Sequence, residues 1–467
     1  MATSVPTNME VWRIVLLRRN ACEFMVFETD SALRLPAVEI PQFSRVALEL
    51  NARIKTLWGL DVYSHYPIPS VDASHTARYH VVEALPFGDA TPETARWISL
   101  CDGGNFLFSD RSDFAAVRTW LAGLSERNTN GGLLPFEKPG WFFALEELVQ
   151  DAVRNIPLTL NGAFLQFTAG TSCSLIRFGT DREAVWFKAV GEPNSREFPL
   201  TILLSSRLQD YLPRILATQP HWNAWIMPAV PGIPLSEAED PSLWCHAARD
   251  LARLQIASVE IVSDVLDLKA RDVRTETLLK RVQPFFASMR MLMEQQTKNA
   301  PPRVLPSEME TLESDTREAL LALQQERIPD TVGNLDLNPD NVIALSRSTV
   351  FLDWAETSVG HPFFSLAHLL EHHRACGRNP VDRDDRLAPM YLAECRKHWS
   401  LSNPDRSLCL AVFLAVFAHA VSTDAWRDGS ALRDSRLAGY YRSLTRRMKS
   451  YADRLRNGAS SISEMFC

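Results

Sequence analysis

A strand-like pair sits inside a stretch that otherwise reads as helix. From Leu235 to the C-terminus the pattern is mostly helical, yet "VIAL", 342–345, and "TVFL", 349–352, are short apolar runs joined by "SRS", 346–348. Loops of three residues close hairpins readily. A hairpin centred on Arg347 sets residue 345 against 349 and residue 341 against 353. It therefore predicts Asn341 beside Asp353. Asp336 lies in the preceding loop, held by Pro339. An amide oxygen and a carboxylate together suit a hard cation such as Mg²⁺, which takes oxygen ligands and substrate phosphates. A further carboxylate nearby can accept or orient a hydroxyl proton. On spacing alone the commoner reading is an ordinary hairpin that uses Asp and Asn as turn formers.

The chain has 467 residues, which predicts two to three domains. Hydrophobic residues are 46% and charged residues 22%, a globular composition. The net charge of −7 argues against a broad nucleic-acid surface. Residues 1–124 alternate strand-like and helix-like pieces and predict a small α/β domain. In its helix "SRVALELNARIKTLWGL", Val46, Leu50, Ile54 and Leu57 form one stripe, with Gly59 near the end. "SERNTNGGLLPFEKPG", 125–140, is rich in Asn, Gly and Pro and reads as a linker. Residues 141–230 form a β-rich lobe with strand candidates "AFLQFTA", "SCSLIRFG" and "AVWFKAVG". Residues 231–467 form a helical lobe that contains the hairpin.

"DLNPDNV" followed by "VFLDWAETSVGHP" resembles the aminoglycoside phosphotransferase family, relatives of protein kinases. The resemblance implies an α+β, two-lobed protein-kinase-like fold: a small β-rich lobe, then a large helical lobe, here preceded by the α/β domain. It implies an ATP- and Mg²⁺-dependent transfer of a phosphoryl group to an alcohol group of a small molecule. Carried over position by position, Asp336 would meet the acceptor hydroxyl, and Asn341 and Asp353 would bind Mg²⁺. Lys188 in "VWFKAV" falls where the family keeps its phosphate-holding lysine, and Glu197 opens the next helix as its partner. "WIMPAVPG" looks like the segment between lobes, with Met227 to Ala229 offering backbone groups to an adenine. No Gly-rich phosphate loop is visible, and "TAGTSCS", 168–174, is the nearest substitute. Taken singly, Lys188 also reads as a strand-edge lysine and Glu197 as a first-turn acid favoured by the helix dipole.

The family's His-Gly before the loop Asp is here Asn334-Leu335, and an Asp usual in the "GxPxxDLA" segment is here Ser365. Both positions support the loop rather than do its chemistry, so the loop is expected to be held differently. The same departure leaves open a non-catalytic, pseudokinase-like nucleotide-binding module. In the α/β domain, "LRLPAVEIPQFSRVALELNARIKTLWGL" resembles the Nudix fold. Its helix carries Glu49 nearly alone, beside Asn51, Arg53 and Lys55, which implies a degenerate, non-hydrolytic version. A fold unrelated to Nudix accounts for the same pattern.

The eight cysteines include no Cys-x-x-Cys pair, and free thiols in a reducing cytoplasm are expected. The N-terminus shows no signal peptide. The run "LCLAVFLAVFAHAV", 408–421, reads as a buried core helix, too short for a bilayer. No membrane or nucleic-acid partner is expected. The histidines of "HLLEHH", 368–373, read as packing and capping residues, and "RSLTRRMKSYADRLR" as a solvated final helix.

Overall fold

The computed structural model describes residues 8–18, 23–29, 32–68, 78–85, 92, 94–99, 108–129, 132–154, 156–376 and 386–466. The mixture of α and β expected from the sequence is present. The chain forms two compact units: Met1–Phe198 with Arg214–Ala229, and Pro199–Pro213 with Val230–Cys467.

The first unit holds two sheets. One has seven strands, with Met9–Arg18 at its centre between Glu23–Thr29 and Arg78–Ala84. Met9–Arg18 runs parallel to Arg78–Ala84 and antiparallel to Glu23–Thr29. Side chains on a strand alternate between faces, and both faces of this sheet are apolar. Val15, Leu17, Phe24 and Val81 pack with Ala116, Val117 and Trp120 of the helix Arg111–Thr129. Ile14, Leu16, Met25 and Val82 pack with Leu50 and Ile54 of the helix Val46–Trp58. That helix ends on Gly59 at φ +71, a left-handed residue that closes a helix cheaply. The predicted stripe needs one correction. Ala47 is buried beside Leu50 and Ile54, whereas Leu57 is 56% exposed. By helix geometry position 57 stays within about 20° of Leu50's direction, so its exposure comes from its place in the last turn of the helix and not from rotation.

The second sheet orders its five strands Ala217–Gln219, Ala224–Pro228, Val185–Val190, Cys173–Thr180 and Leu160–Thr168. One face buries Ile176, Phe178, Val185, Phe187, Ala224 and Ile226 against Trp141, Phe142, Leu145 and Val149 of the helix Trp141–Val153. The same cluster takes in Tyr63 and Leu85 from the first sheet. Polar bonds reinforce that junction. The buried Gln166 donates from Nε2 to the Ser64 carbonyl at 2.7 Å. Its Oε1 accepts from Ser64 N–H at 2.8 Å and from Asn51 Nδ2 at 3.1 Å. Glu83 accepts the Gly140 N–H with both oxygens, at 2.8 and 3.0 Å. The stretch read as a linker is thus built into this unit. The helix before it continues to Thr129, and Phe136 and Glu137 are buried. Its composition is that of turns, and the turns pack.

The second unit is mainly helical. Its core centres on the helix Pro404–Val421, nearly all of whose residues are buried. At 18 residues this helix is longer than its apolar run. It has the length and hydropathy of a membrane span, yet 78% of it is buried inside the protein. Asn403 caps it, accepting the Arg406 N–H. The basic helix Ser435–Arg456 buries Ala438, Tyr441, Leu444, Met448 and Tyr451 on one face. It is not the last, since Ile462–Phe466 follows. Two small sheets complete the unit. One joins Ile233–Pro234, Val342–Ala344 and Thr349–Phe351, and the other joins Arg271–Val273, Thr357–Gly360 and Thr331–Asn334.

Candidate active site

In the first unit, Lys188 lies on the middle strand of the five-stranded sheet and Glu197 is the first residue of the helix Glu197–Arg207. Lys188 Nζ donates to Glu197 Oε1 at 2.6 Å. Both side chains are nearly buried, at 11% and 2% exposure. The ammonium also lies 5.7 Å from the Trp225 ring centroid. Strand alternation puts Trp186 on the Lys188 face, where it pairs across the strands with Met227 and Arg177. Phe167 packs tilted against Trp186, with ring centroids 5.0 Å apart. This face, opposite the one packed on Trp141 and Phe142, is a lysine beside an aromatic platform. The platform was not found from the sequence. The signal was available, since Trp186 precedes Lys188 by two positions.

Met227 and Ala229 stand at the end of the strand Ala224–Pro228. Met227 pairs with Trp186. The Ala229 N–H donates to the Ala184 carbonyl at 2.8 Å. That donor is therefore committed to the strand pairing and not available to a base, because an edge of the sheet extends one residue further than the apolar run.

In the second unit the hairpin forms, one residue out of the expected register. Ala344 pairs with Thr349 and Val342 with Phe351. Leu345 N–H donates to the Ser348 carbonyl at 2.9 Å, so the loop is two residues, not three. Asn341 accordingly faces Leu352, whose N–H it accepts at 2.8 Å, rather than Asp353. Asp353 is the next residue, with a left-handed backbone at φ +57. Aspartate tolerates that region better than most side chains.

Asn334 ties the two loop acids together. Its Oδ1 accepts the Asp336 N–H at 2.8 Å, and its Nδ2 donates to the Asp353 carbonyl at 2.8 Å. Its own N–H donates to Ser365 Oγ at 3.0 Å. Asn334 and Ser365 are both buried, while Asp336 and Asp353 are exposed. The two departures from the family pattern thus meet each other and hold the loop. A Cβ on Gly333 would fall 2.4 Å from Ser365 Oγ, so the serine hydroxyl occupies the room the glycine leaves. Sequence reading located both positions but not their pairing, which only the strand return at Thr357–Gly360 creates.

Around Asp336 the electrostatics are mixed. Burial lowers the His372 imidazole, and the Asp336 and Asp340 carboxylates pull it back up. Burial raises the Tyr440 phenol, with Tyr441, Glu356 and Asp336 adding to the shift. Tyr440 Oη lies 2.5 Å from His419 Nε2. Arg271 pairs with Glu356. In the "HLLEHH" stretch, His373 packs edge-on to Trp244 at 4.8 Å and His368 is buried near His419.

The sequence-expected metal donors are the Asn341 amide and the Asp353 carboxylate; the hairpin sets Asn341 opposite Leu352, and Asp353 is the residue after it. Both are oxygen donors of the type a hard divalent cation selects, and a Mg²⁺ site needs few from the protein. Among the described residues no group of three or more His, Cys, Asp or Glu gathers as a self-sufficient metal centre.

Residues 196–399 match the phosphotransferase enzyme family. No curated protein matches the chain. Among solved structures, the choline kinase of Cryptosporidium parvum is 13% identical, covering 69% of this chain and 100% of that one, with a TM-score of 0.44. The macrolide 2'-phosphotransferase MphH of Brachybacterium faecium is 14% identical, covering 62% and 97%, with a TM-score of 0.42. A choline/ethanolamine kinase family protein of Mesorhizobium loti is 12% identical, covering 69% and 97%, with a TM-score of 0.42. The family match bears out the resemblance read from the sequence over that span.

Proposed function

We propose that this chain, a kinase-like phosphotransferase by its match over residues 196–399, moves the γ-phosphate of ATP to a hydroxyl of a small molecule. The observation that carries the reading is the Asn334 clamp, which fixes Asp336 and Asp353 to one side chain. Phosphoryl transfer asks the protein for placement and charge neutralisation more than for covalent chemistry. In this reading Lys188, steadied by Glu197, holds the nucleotide phosphates. The tilted Phe167–Trp186 pair offers an apolar surface to the base. Asn341 and Asp353 hold Mg²⁺, which when bound would neutralise charge on the transferring phosphate. Asp336, exposed at the loop tip, orients the acceptor hydroxyl and takes its proton. The acceptor is a small molecule, and a cytoplasmic location suits the use of ATP.

The test is phosphate transfer from ATP to a panel of hydroxylated metabolites. Asp336→Ala should lose turnover by about 10³-fold or more while ADP binds as before. Undiminished turnover in that variant would remove Asp336 from the role.

A further inference from the structure

The turn between the strand Ala37–Pro41 and the helix Val46–Trp58 belongs to the N-terminal α/β domain. It carries the most exposed large apolar side chain described, Phe43, at 102% relative exposure. Phe43 also has φ +62, a left-handed conformation that a bulky residue adopts only at a cost of about 1–3 kcal/mol. The turn is well anchored on either side. Gln42 N–H donates to the Asn8 carbonyl at 2.9 Å, and Ser44 Oγ to the Pro41 carbonyl at 2.7 Å. A strained, solvent-facing phenylalanine on an anchored turn contributes nothing to the core.

Two residues on, the guanidinium of Arg45 lies over Phe167, 5.4 Å from the ring centroid. Phe167 is the ring that meets Trp186, and Trp186 shares its face with Lys188. Arg45, Phe167, Trp186 and Lys188 therefore form one continuous surface within the first unit. It has a cation at each end and two rings between. Lys188 is on the middle strand, and Arg45 is on the flank of the edge strand Leu160–Thr168.

We infer that Arg45 and Phe43, from the N-terminal domain, form part of the nucleotide site and contact its nucleoside half. The inference rests on the nucleotide reading above. A base laid on Phe167 and Trp186 with its phosphates toward Lys188 puts its ribose between the rings and the lysine and leaves its outer edge toward Arg45. The guanidinium brings five fixed donors for the acceptors of the base edge and an affinity for aromatic faces. Phe43 supplies an apolar ring to close that flank.

The test uses the full chain and three probes: ADP, adenosine and inorganic tripolyphosphate, titrated calorimetrically. Arg45→Ala should weaken ADP and adenosine by about five- to tenfold, the loss of one cation–π or hydrogen-bonding contact, and leave tripolyphosphate unchanged. Arg45→Lys should fall between. Phe43→Gly separates a binding role from a structural one: it relieves the left-handed strain, so melting temperature should hold or rise while ADP binding weakens. Lys188→Ala should weaken ADP and tripolyphosphate alike. If Arg45→Ala and Phe43→Gly bind ADP as the parent does while Lys188→Ala does not, the inference fails and the nucleotide reading stands. If Arg45→Ala weakens tripolyphosphate as much as ADP, the assignment to the nucleoside half is overturned. A parent chain that binds none of the three overturns both.

Discussion

Lys188 and Glu197 form a nearly buried ion pair, 2.6 Å between Nζ and Oε1, across the strand-to-helix connection of the small lobe. Breaking a buried ion pair by removing one partner costs about 3–5 kcal/mol. Glu197→Gln should lower the melting temperature and weaken ADP binding together, because the lysine loses its restraint. Calorimetry and ADP titration measure the two. A variant as stable as the parent, binding ADP equally well, would show that the pair has neither role.

Asn334 should behave as a positioning residue. Asn334→Ala removes the bonds to the Asp336 N–H and the Asp353 carbonyl while leaving both carboxylates in place. Turnover should fall about 10²-fold with little change in KM for ATP, since misplacement by an ångström costs that much. Asn334→Asp keeps the acceptor and loses the donor, so it should recover part of the loss. Equal turnover in Asn334→Ala and the parent would sink the clamp as a functional device.

Asp330, next to the strand that leads into the loop, should impose a pH slope on stability. Burial pushes its carboxyl up to about 6, opposed by Arg274 and reinforced by Asp272 and Glu276. An unfolded aspartate titrates near 3.9. Between about pH 4 and 6 the folded state holds more protons than the unfolded, so stability falls as pH rises through that window. The loss at pH 7 is about 1–2 kcal/mol after allowance for solvent screening. Asp330→Asn should match the parent near pH 4 and melt higher at pH 7. Parallel melting curves for the two across this range would contradict the assignment.

Gln166→Ala should destabilise the first unit. It strips partners from both the N–H and the carbonyl of Ser64, at about 2–4 kcal/mol for two buried groups. Hydrogen exchange at residues 62–68 should speed up in the variant. Unchanged protection there would mean the apolar cluster alone carries the junction.

The strand that carries Lys188 and the hairpin that carries Asn341 and Asp353 were legible from alternation and loop length. Lys188 and Glu197 could be paired through the family resemblance, and the ion pair between them is present. The register of that hairpin was not legible, because "SRS" closes equally as a two- or three-residue loop and only the Leu345–Ser348 bond decides. The burial of Leu133, Phe136 and Glu137 was hidden by composition: Asn, Gly and Pro mark turns, and turns can be packed. Gln166 gave no sign, since one amide in an apolar strand has no periodicity to betray its partners 102 residues away.

The amide of Gln166 also bears on how such a chain could change over generations. It joins two folds through bonds of fixed donor and acceptor sense to Ser64 and Asn51. A replacement at 166 costs stability unless a matching one arises on the other side. Lineages that keep the kinase-like half would then carry the N-terminal half along as a co-inherited companion, not as a module free to be traded.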